Sequence, residues 1–377
     1  MGEDSILTTG WSRRKFLTTA AVTVGAAAVS LGAQCDPALI RKLQQGKNPQ
    51  PPHHKVWVWQ FSTDSEPDQI VANLGANGLG ILMKTHDGVD WMSRYDRSRN
   101  AVNGPGQVAN LVRFFEDRGV PFHAWSVIKG IDPIREAQMV ADVLSAGARS
   151  LVLDLEGGAG FWAGTPADAA RFGDHLRKLT PFGRVDISID ARPWRINLVP
   201  MPEFVALSDG IWPQLYWDTF NSAGNRDGYR NSGYPTGASG MTPEFLLDTT
   251  HVVLGGYNRD VIPVGQGAAI DPNTWSRFAR RAWELGMGTV SVWRYGVTRY
   301  ETLSYLGENR AGIAPQPPKP TLTPQSSSTR PPSPTKTTRA TRTHTPTRTR
   351  TNTPTRTHTP TPAAPTQTLT PTHTPTV

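Results

Sequence analysis

The chain of 377 residues is long enough for one large α/β domain with additional segments, or for two domains of average size. Its formal net charge of +8 arises in a tail, because the residues from Ala314 onward contain eight basic and no acidic side chains, whereas residues 51–313 contain 25 basic and 28 acidic ones. The folded part is therefore not basic, and we expect it to have no nucleic-acid partner. The single cysteine, Cys35, excludes an intrachain disulfide framework.

Residues 1–34 have the features of an export signal. The segment Ser12-Arg13-Arg14-Lys15-Phe16-Leu17, followed by an Ala-rich apolar run from Thr18 to Ala33, resembles bacterial twin-arginine signal sequences, which direct already folded proteins across the inner membrane. A transmembrane helix is the alternative, but the run is short and ends in small residues. Lipid attachment at Cys35 is less favoured, because the residues before it depart from the usual pattern. We predict export to the periplasm, the cell envelope or the medium.

After a spacer at residues 35–54, short apolar runs alternate with amphipathic stretches up to residue 313. Such runs, bounded by turn residues, predict strands of a buried sheet. The predicted strands are Val56–Phe61, Gly80–Lys84, Pro121–Val127, Ser150–Leu155, Val185–Ile189, Ile211–Trp217, Val261–Val264 and Thr289–Trp293.

Three stretches between these runs, Val108–Arg118, Ile134–Ala146 and Thr274–Leu285, have apolar residues at the helical period of 3.6. Asp132-Pro133 and Asp271-Pro272 have the sequence of an N-cap followed by a proline in the first turn. Eight strands alternating with helices over residues 55–313 predict a TIM (β/α)8 barrel. A doubly wound open sheet is the alternative, but no Gly-x-Gly-x-x-Gly turn follows the first strand, so we expect no dinucleotide cofactor.

The segment 314–377 is rich in Pro, Thr, Ser and Arg, with recurring Thr-Pro-Thr and Thr-His-Thr-Pro units. It has few apolar residues to bury, so we predict a disordered tail. Ser and Thr alternating with Pro are typical of an extended stalk that can carry O-linked sugars. The basic charge of this stalk would suit association with an anionic cell wall, and an inert tail is the alternative.

The segment Ser150-Leu-Val-Leu-Asp154-Leu-Glu156 places two carboxylates at the end of a predicted buried strand. Residues two apart in a strand face the same side, so Asp154 and Glu156 are expected to point together. Burying acids there is costly, and the C-terminal ends of barrel strands form the active-site face. The acids are therefore catalytic candidates, and the structural alternative is that they cap a helix or bind an arginine.

The other strand ends supply aromatic and polar side chains, and the chain contains 12 Trp residues. Flat aromatic faces beside carboxylates and amides suit sugar rings, whose C–H faces stack while their hydroxyls form hydrogen bonds. We therefore predict that a carbohydrate contacts Trp293, Gln214, Asp190, Trp125, Trp59 and Lys84. The alternative for Trp57, Trp59 and Trp125 is that they fill the barrel interior.

The sequence provides weaker support for a metal site, a serine nucleophile or a phosphate-binding loop. A metal ion could be bound if some of six residues converge, although none has a tight ligand spacing: His86, Asp87, His123, Asp154, Glu156 and Asp190. No Gly-x-Ser-x-Gly elbow and no P-loop is found. Paired-carboxylate chemistry without a metal or another cofactor is the strongest prediction.

Leu-Val-Leu-Asp154-Leu-Glu156 resembles the Asp-x-Glu signature on the fourth strand of two glycoside hydrolase families, the chitinase-like family 18 and the muramidase-like family 25. Pro213-Gln214-Leu-Tyr216-Trp-Asp218 and Val290-Ser-Val-Trp293 resemble the sixth and eighth strands of the chitinase-like family. That family has a further Asp where Val152 stands, and the muramidase-like family has an Asp on its first strand, which Val56–Phe61 lacks.

The resemblance implies a glycoside hydrolase that cleaves O-glycosidic bonds of a poly- or oligosaccharide, and we expect it to be exported through its signal segment and to be monomeric. Glu156 would be the general acid, Asp154 would stabilise a substrate N-acetyl group acting as nucleophile, Tyr216 would donate a hydrogen bond to that group, and Trp293 would stack under the sugar. Without the resemblance, Asp186 or Asp190 could supply the second carboxylate. A non-catalytic carbohydrate-binding barrel of the cell envelope is the main alternative, and a metal-dependent hydrolase is the less favoured one.

Overall fold

A computed structural model describes residues 53–309 of the chain, apart from residues 270 and 272. The predicted export signal, all but the last two residues of the spacer, and the predicted tail lie outside these residues. No helix in the described part is long and apolar enough to cross a membrane.

Continuous apolar runs form a parallel sheet that closes on itself, as buried parallel strands require. Its strands, in chain order across residues 53–309, are β1 (Lys55–Val58), β2 (Gly80–Asp87), β3 (Asp90–Trp91), β4 (Phe122–Val127), β5 (Leu151–Leu155), β6 (Val185–Asp190), β7 (Gly210–Leu215), β8 (Asp260–Val261), β9 (Val264–Gln266) and β10 (Ser291–Trp293). The strand order β1-β10-β9-β7-β6-β5-β4-β2 is closed by the pairing of β1 with β2. The predicted TIM barrel is confirmed. β3 pairs antiparallel with β2, and the short β8 pairs with β7.

Helices surround the sheet, as expected for a barrel whose strands are connected in parallel. In the described part they are α1 (Phe61–Asp64), α2 (Pro67–Asn77), α3 (Pro105–Glu116), α4 (Pro133–Ser145), α5 (Pro166–Leu179), α6 (Met201–Leu207), α7 (Ala223–Asn231), α8 (Pro243–Leu254), α9 (Thr274–Glu284) and α10 (Tyr300–Glu308). Short 3-10 helices cover Met92–Arg94, Ile196–Leu198, Gly255–Tyr257 and Tyr295–Val297. The three helices predicted from periodicity correspond to α3, α4 and α9.

Local sequence determines several helix boundaries. The carboxylate of Asp132 accepts the backbone N–H of Arg135 at 3.0 Å and begins α4, as predicted. Thr165 and Asp168 form a reciprocal capping box at the start of α5. The prediction that Asp271 is an N-cap is wrong, because α9 begins only at Thr274.

Several strand boundaries also differ from the predictions, and two of the differences have a clear cause. The first strand ends at Val58 rather than Phe61, because the backbone N–H groups of Phe61 and Ser62 donate to the carboxylate of Asp96 at 2.7 and 3.0 Å and the chain turns into α1. The seventh predicted strand is split into β8 and β9. Pro263 lies between them and has no N–H to donate to a ladder.

The barrel interior has its own apolar core, separate from the larger core between sheet and helices. Trp57 lies at its centre, with its ring edge-to-face against Trp125 and Trp212 at centroid distances of 5.1 and 6.0 Å. The indole N–H of Trp125 donates to the carbonyl of Val58 at 3.0 Å, so burying this ring leaves no unsatisfied donor. These tryptophans form a rigid floor below the C-terminal end of the barrel.

Candidate active site

A cavity of about 110 Å³ opens at the C-terminal end of the barrel. Five of the predicted site residues line it together with one further tryptophan: Asp154, Glu156, Gln214, Tyr216, Trp293 and Trp57. The lining side chains come from four strands and the loops that directly follow them, which is where a TIM barrel carries its catalytic groups. The structure therefore brings most of the predicted site together.

The two carboxylates share one hydrogen-bond donor. Nε2 of Gln214, on β7, donates to Oδ1 of Asp154 at 3.0 Å and to Oε1 of Glu156 at 3.1 Å. The hydroxyl oxygen of Ser188, on β6, lies 3.4 Å from the same nitrogen. The amide thus orients both acids toward one point and stabilises their ionised forms.

Burial dominates the electrostatics of the acid pair. Asp154 is only 7 % exposed, and burial, followed by the charge of Glu156, raises the pKa of Asp154 to about 8. Burial also raises the pKa of Glu156, against the hydrogen bond from Gln214. The pair therefore retains a proton near neutral pH, so one carboxyl group can act as an acid while the other carries charge.

Tyr216 and Trp293 form the wall of the cavity beside the acids. Burial, followed by the charges of Asp154 and Glu156, raises the pKa of Tyr216 well above its ordinary value, so its hydroxyl stays protonated and can donate. The half-buried ring of Trp293 rests edge-to-face on Trp57 at 5.6 Å, which fixes its orientation. The peptide bond from Trp293 to Arg294 is cis.

Three other predicted contacts lie below or beside the cavity. Trp125 is 1 % exposed and supports Trp293 from below at 5.4 Å, so it fills the barrel, which was the alternative for this residue. The ammonium group of Lys84 donates to Asp87 at 2.6 Å and lies 5.0 Å from the centre of the Trp125 ring. Trp59 is half-buried at the barrel end, with the guanidinium of Arg294 5.1 Å from its ring.

Asp190, the fourth of these contacts, is engaged by arginines. Its carboxylate accepts from Nε of Arg192 at 2.8 Å and from Nε of Arg195 at 3.2 Å. Both charges lie beside Glu156, and Arg195 donates to the carbonyl of Gly157 at 3.2 Å. Arg195 was missed by the sequence analysis, because it lies in a loop without strand or helix periodicity.

His123, one of the six residues considered as metal ligands, lies away from the cavity. Its ring lies near the start of β4, hydrogen-bonded to His53 at 3.0 Å and to the Ser150 hydroxyl at 2.7 Å, at the opposite end of the barrel. Asp186 likewise lies near the start of β6, paired with Arg184 at 3.0 Å. In the part of the chain that the structure describes, no three His, Cys, Asp or Glu side chains are placed to hold a metal ion. The six residues considered as metal ligands therefore do not converge on one site.

Two lining or supporting residues were not among the predicted contacts. Trp57, for which filling the barrel interior was the alternative, forms part of the cavity surface. Ser188 follows from the alternation of β6, in which it shares a face with Asp190.

No known protein-family description matches the sequence, and no curated protein sequence is similar to it. Among solved structures, the C-terminal domain of a putative chitinase from Desulfitobacterium hafniense is similar in fold (10 % identity, 70 % of this chain and 100 % of that chain, TM-score 0.49). Active domain 2 of a chitinase from Pyrococcus furiosus is also similar (11 % identity, 70 % of this chain and 97 % of that chain, TM-score 0.46). So is the PgaB (BpsB) glycoside hydrolase domain from Bordetella bronchiseptica (10 % identity, 71 % of this chain and 100 % of that chain, TM-score 0.44).

The structure defines a TIM-barrel protein with a paired-carboxylate cavity. Its structural neighbours include glycoside hydrolases.

Proposed function

We propose that the chain is a glycoside hydrolase that cleaves O-glycosidic bonds of a poly- or oligosaccharide by carboxylate acid/base catalysis. The observation that carries this proposal is the amide of Gln214, which contacts both Asp154 and Glu156 at the edge of a cavity walled by Trp293. Glycosidic cleavage requires an acid that protonates the leaving oxygen and a second group that stabilises the anomeric carbon. The carboxyl pair with its retained proton supplies the first, and its position beside an aromatic wall suits a sugar ring.

Glu156 is assigned as the general acid and Asp154 as the group that acts on the substrate from below. Glu156 is the more exposed of the two, at the mouth of the cavity, whereas Asp154 is almost fully buried. A leaving oxygen therefore reaches Glu156 more readily, and a small substituent that enters the cavity meets Asp154.

The size of the cavity supports an N-acetyl substituent as the group that enters. Pockets that enclose whole ligands hold roughly 300–1,000 Å³, whereas this one holds about 110 Å³. A polysaccharide would therefore lie across the open end and insert only a single group. The protonated hydroxyl of Tyr216 can donate to the acetyl carbonyl. The proton that the pair retains passes from Asp154 to Glu156 in the reactive complex, so the ionised carboxylate of Asp154 can accept the acetamido N–H.

The proposed reaction is a substrate-assisted displacement. The acetyl oxygen forms a bond to the anomeric carbon while the glycosidic C–O bond breaks, and Glu156 transfers its proton to the leaving oxygen. Water then attacks the anomeric carbon, the bond between that carbon and the acetyl oxygen breaks, and the water gives a proton to Glu156, which restores the enzyme. Two successive displacements invert the anomeric carbon twice, so we expect retention of configuration.

A carbohydrate-binding barrel without catalysis is the second candidate. It is favoured by Val152, which is buried in the barrel core two residues before Asp154, where the chitinase-like family has a further carboxylate. In this alternative the same cavity and aromatic wall bind a glycan that is not cleaved.

The test is a product screen with the full chain. Wild type, Glu156→Gln and the exposed helix control Glu301→Gln are incubated with peptidoglycan, chitin oligosaccharides and a panel of α- and β-linked polysaccharides. We expect product from wild type and the control, and a turnover lower by about 10²–10⁴-fold in Glu156→Gln, with an unchanged melting temperature. Full activity in Glu156→Gln contradicts the mechanism. Glycan binding without product from wild type supports the binding barrel.

A further inference from the structure

The wall of the site beside Glu156 carries an excess positive charge. Asp190, the last residue of β6, is neutralised by Arg192 through contacts of 2.8 and 3.1 Å from one nitrogen, and Arg195 adds a second guanidinium at 3.2 Å. One carboxylate therefore faces two cations. A guanidinium remains charged at every physiological pH, so this group of three side chains has a net charge of +1.

The two arginines differ in how many of their donors are used. Arg192 also donates to the side chain of Asn225 at 2.7 Å and lies 4.4 Å from the ring of Phe220, so all three of its nitrogens have partners. Arg195 uses Nε for Asp190 and Nη2 for the carbonyl of Gly157, and among the described residues its Nη1 has no partner. With 34 % of its side chain exposed, Arg195 is accessible to a ligand.

Arg195 is held close to the catalytic acid. Its partner Gly157 directly follows Glu156 in the chain, and the charges of Arg195 and Arg192 limit the rise that burial causes in the pKa of Glu156. The segment after Arg195 packs tightly on the same backbone, since a Cβ atom at Gly157 would lie 2.3 Å from Cβ of Leu198. These contacts therefore fix the position of the Arg195 guanidinium at the rim of the cavity.

We propose that Arg195 forms an anion subsite beside Glu156, and that the substrate is a glycan with a carboxylate-bearing sugar next to the cleaved bond. This inference rests on the proposed function and narrows its substrate class. A planar guanidinium with unused donors forms strong charge-assisted hydrogen bonds with a carboxylate. A singly charged carboxylate also balances the net charge of this wall, which a neutral sugar would leave uncompensated.

The test measures binding of glycans with and without their charge. Full-length Glu156→Gln protein, in which turnover is blocked, is titrated with peptide-free peptidoglycan strands and with polyuronate oligosaccharides. Each ligand is used in its native form and with its carboxylates converted to methyl esters. The same titrations are made with two double variants, in which Glu156→Gln is combined with Arg195→Gln or with the control Arg171→Gln. The control removes an exposed guanidinium on α5.

We expect at least one native ligand to bind and its esterification to weaken binding tenfold or more. Arg195→Gln should weaken the native ligand by a similar factor and leave the ester unaffected, whereas Arg171→Gln should change neither. Equal loss for native and esterified ligand, or no effect of esterification, or no binding of any acidic glycan, overturns the inference. If the wild type instead binds the native glycan more tightly than its ester and yet forms no product, that outcome contradicts the proposed function but supports the anion subsite.

Discussion

Arg294 forms an ion pair with the carboxylate of Asp64, and this contact connects the end of the last barrel strand to the helix after the first one. The carboxylate also accepts the backbone N–H groups of Trp59 at 2.6 Å and of Gly296 at 3.2 Å, and its side chain is fully buried. The pair therefore fixes the backbone that follows Trp293 against the end of β1.

We expect Asp64→Ala to lower the free energy of unfolding by about 3–5 kcal/mol, because it leaves a partly buried guanidinium and two backbone donors without their acceptor. Denaturant unfolding monitored by tryptophan fluorescence measures this loss. The control is Asp227→Ala, which breaks an exposed ion pair with Arg230 and should cost at most about 1 kcal/mol. Equal losses in the two variants would show that the Asp64 network adds little to stability.

The raised pKa of Asp154 predicts how stability depends on pH. In the unfolded chain this carboxyl titrates near its ordinary value of 3.8, and in the folded protein near 8. Below pH 3.8 the carboxyl group is protonated in both states, so its titration does not change the free energy of unfolding. Between the two values only the folded state binds the proton, so the folded state loses stability as pH rises.

We therefore expect Asp154→Asn to become stabilising relative to wild type as pH increases from 5 to 8, by at most about 1.4 kcal/mol per pH unit. Unfolding free energies of both proteins at pH 5, 6.5 and 8 measure the change. A difference between the two proteins that stays constant over this range would show that Asp154 titrates normally.

Gln214 lowers the pKa of both acids, because its donated hydrogen bonds stabilise their ionised forms. We expect Gln214→Leu to reduce kcat about 10–100-fold, since the acids lose their orientation. The basic limb of the pH–rate profile, where the pair loses its retained proton, should move to higher pH. A merely structural role would lower activity without moving that limb. Gln138→Leu, which removes an amide from the outside of α4, is the control.

Trp293 is expected to supply the stacking surface for the sugar. Trp293→Ala should weaken glycan binding about tenfold, equivalent to 1.4 kcal/mol, whereas Trp293→Phe keeps a flat ring and should retain part of the affinity. Isothermal titration with the glycan found in the product screen measures this. Tyr300→Ala, which removes an exposed aromatic ring on α10, should have no effect. Unchanged affinity in Trp293→Ala would place the sugar elsewhere.

The barrel could be predicted because its strands are buried on both faces and therefore stand out as apolar runs. Asp154 and Glu156 followed from the two-residue alternation of a strand, and Gln214 and Trp293 from their places at strand ends. These predictions needed only local geometry.

Other features needed more than local geometry. The register between β2 and β4 shifts between Lys84 and His86, so alternation counted from Lys84 fails beyond that point. Asp190 pairs with Arg192 and also with Arg195, and the contact with Arg195, five residues away, depends on how the loop turns. His123 is different, because it stands near the start of its strand in the prediction as well as in the structure, and the strand direction alone places it away from the cavity.

The closing contact of the barrel has a consequence for synthesis. Trp293 lies on β10, the last strand of the described residues to leave the ribosome, and β10 fills the gap between β1 and β9. A nascent chain that stops before Ser291 exposes two open sheet edges, which are prone to pair with other chains. It also lacks Trp293, so under the proposed function we expect only molecules that have completed the barrel to bind a glycan.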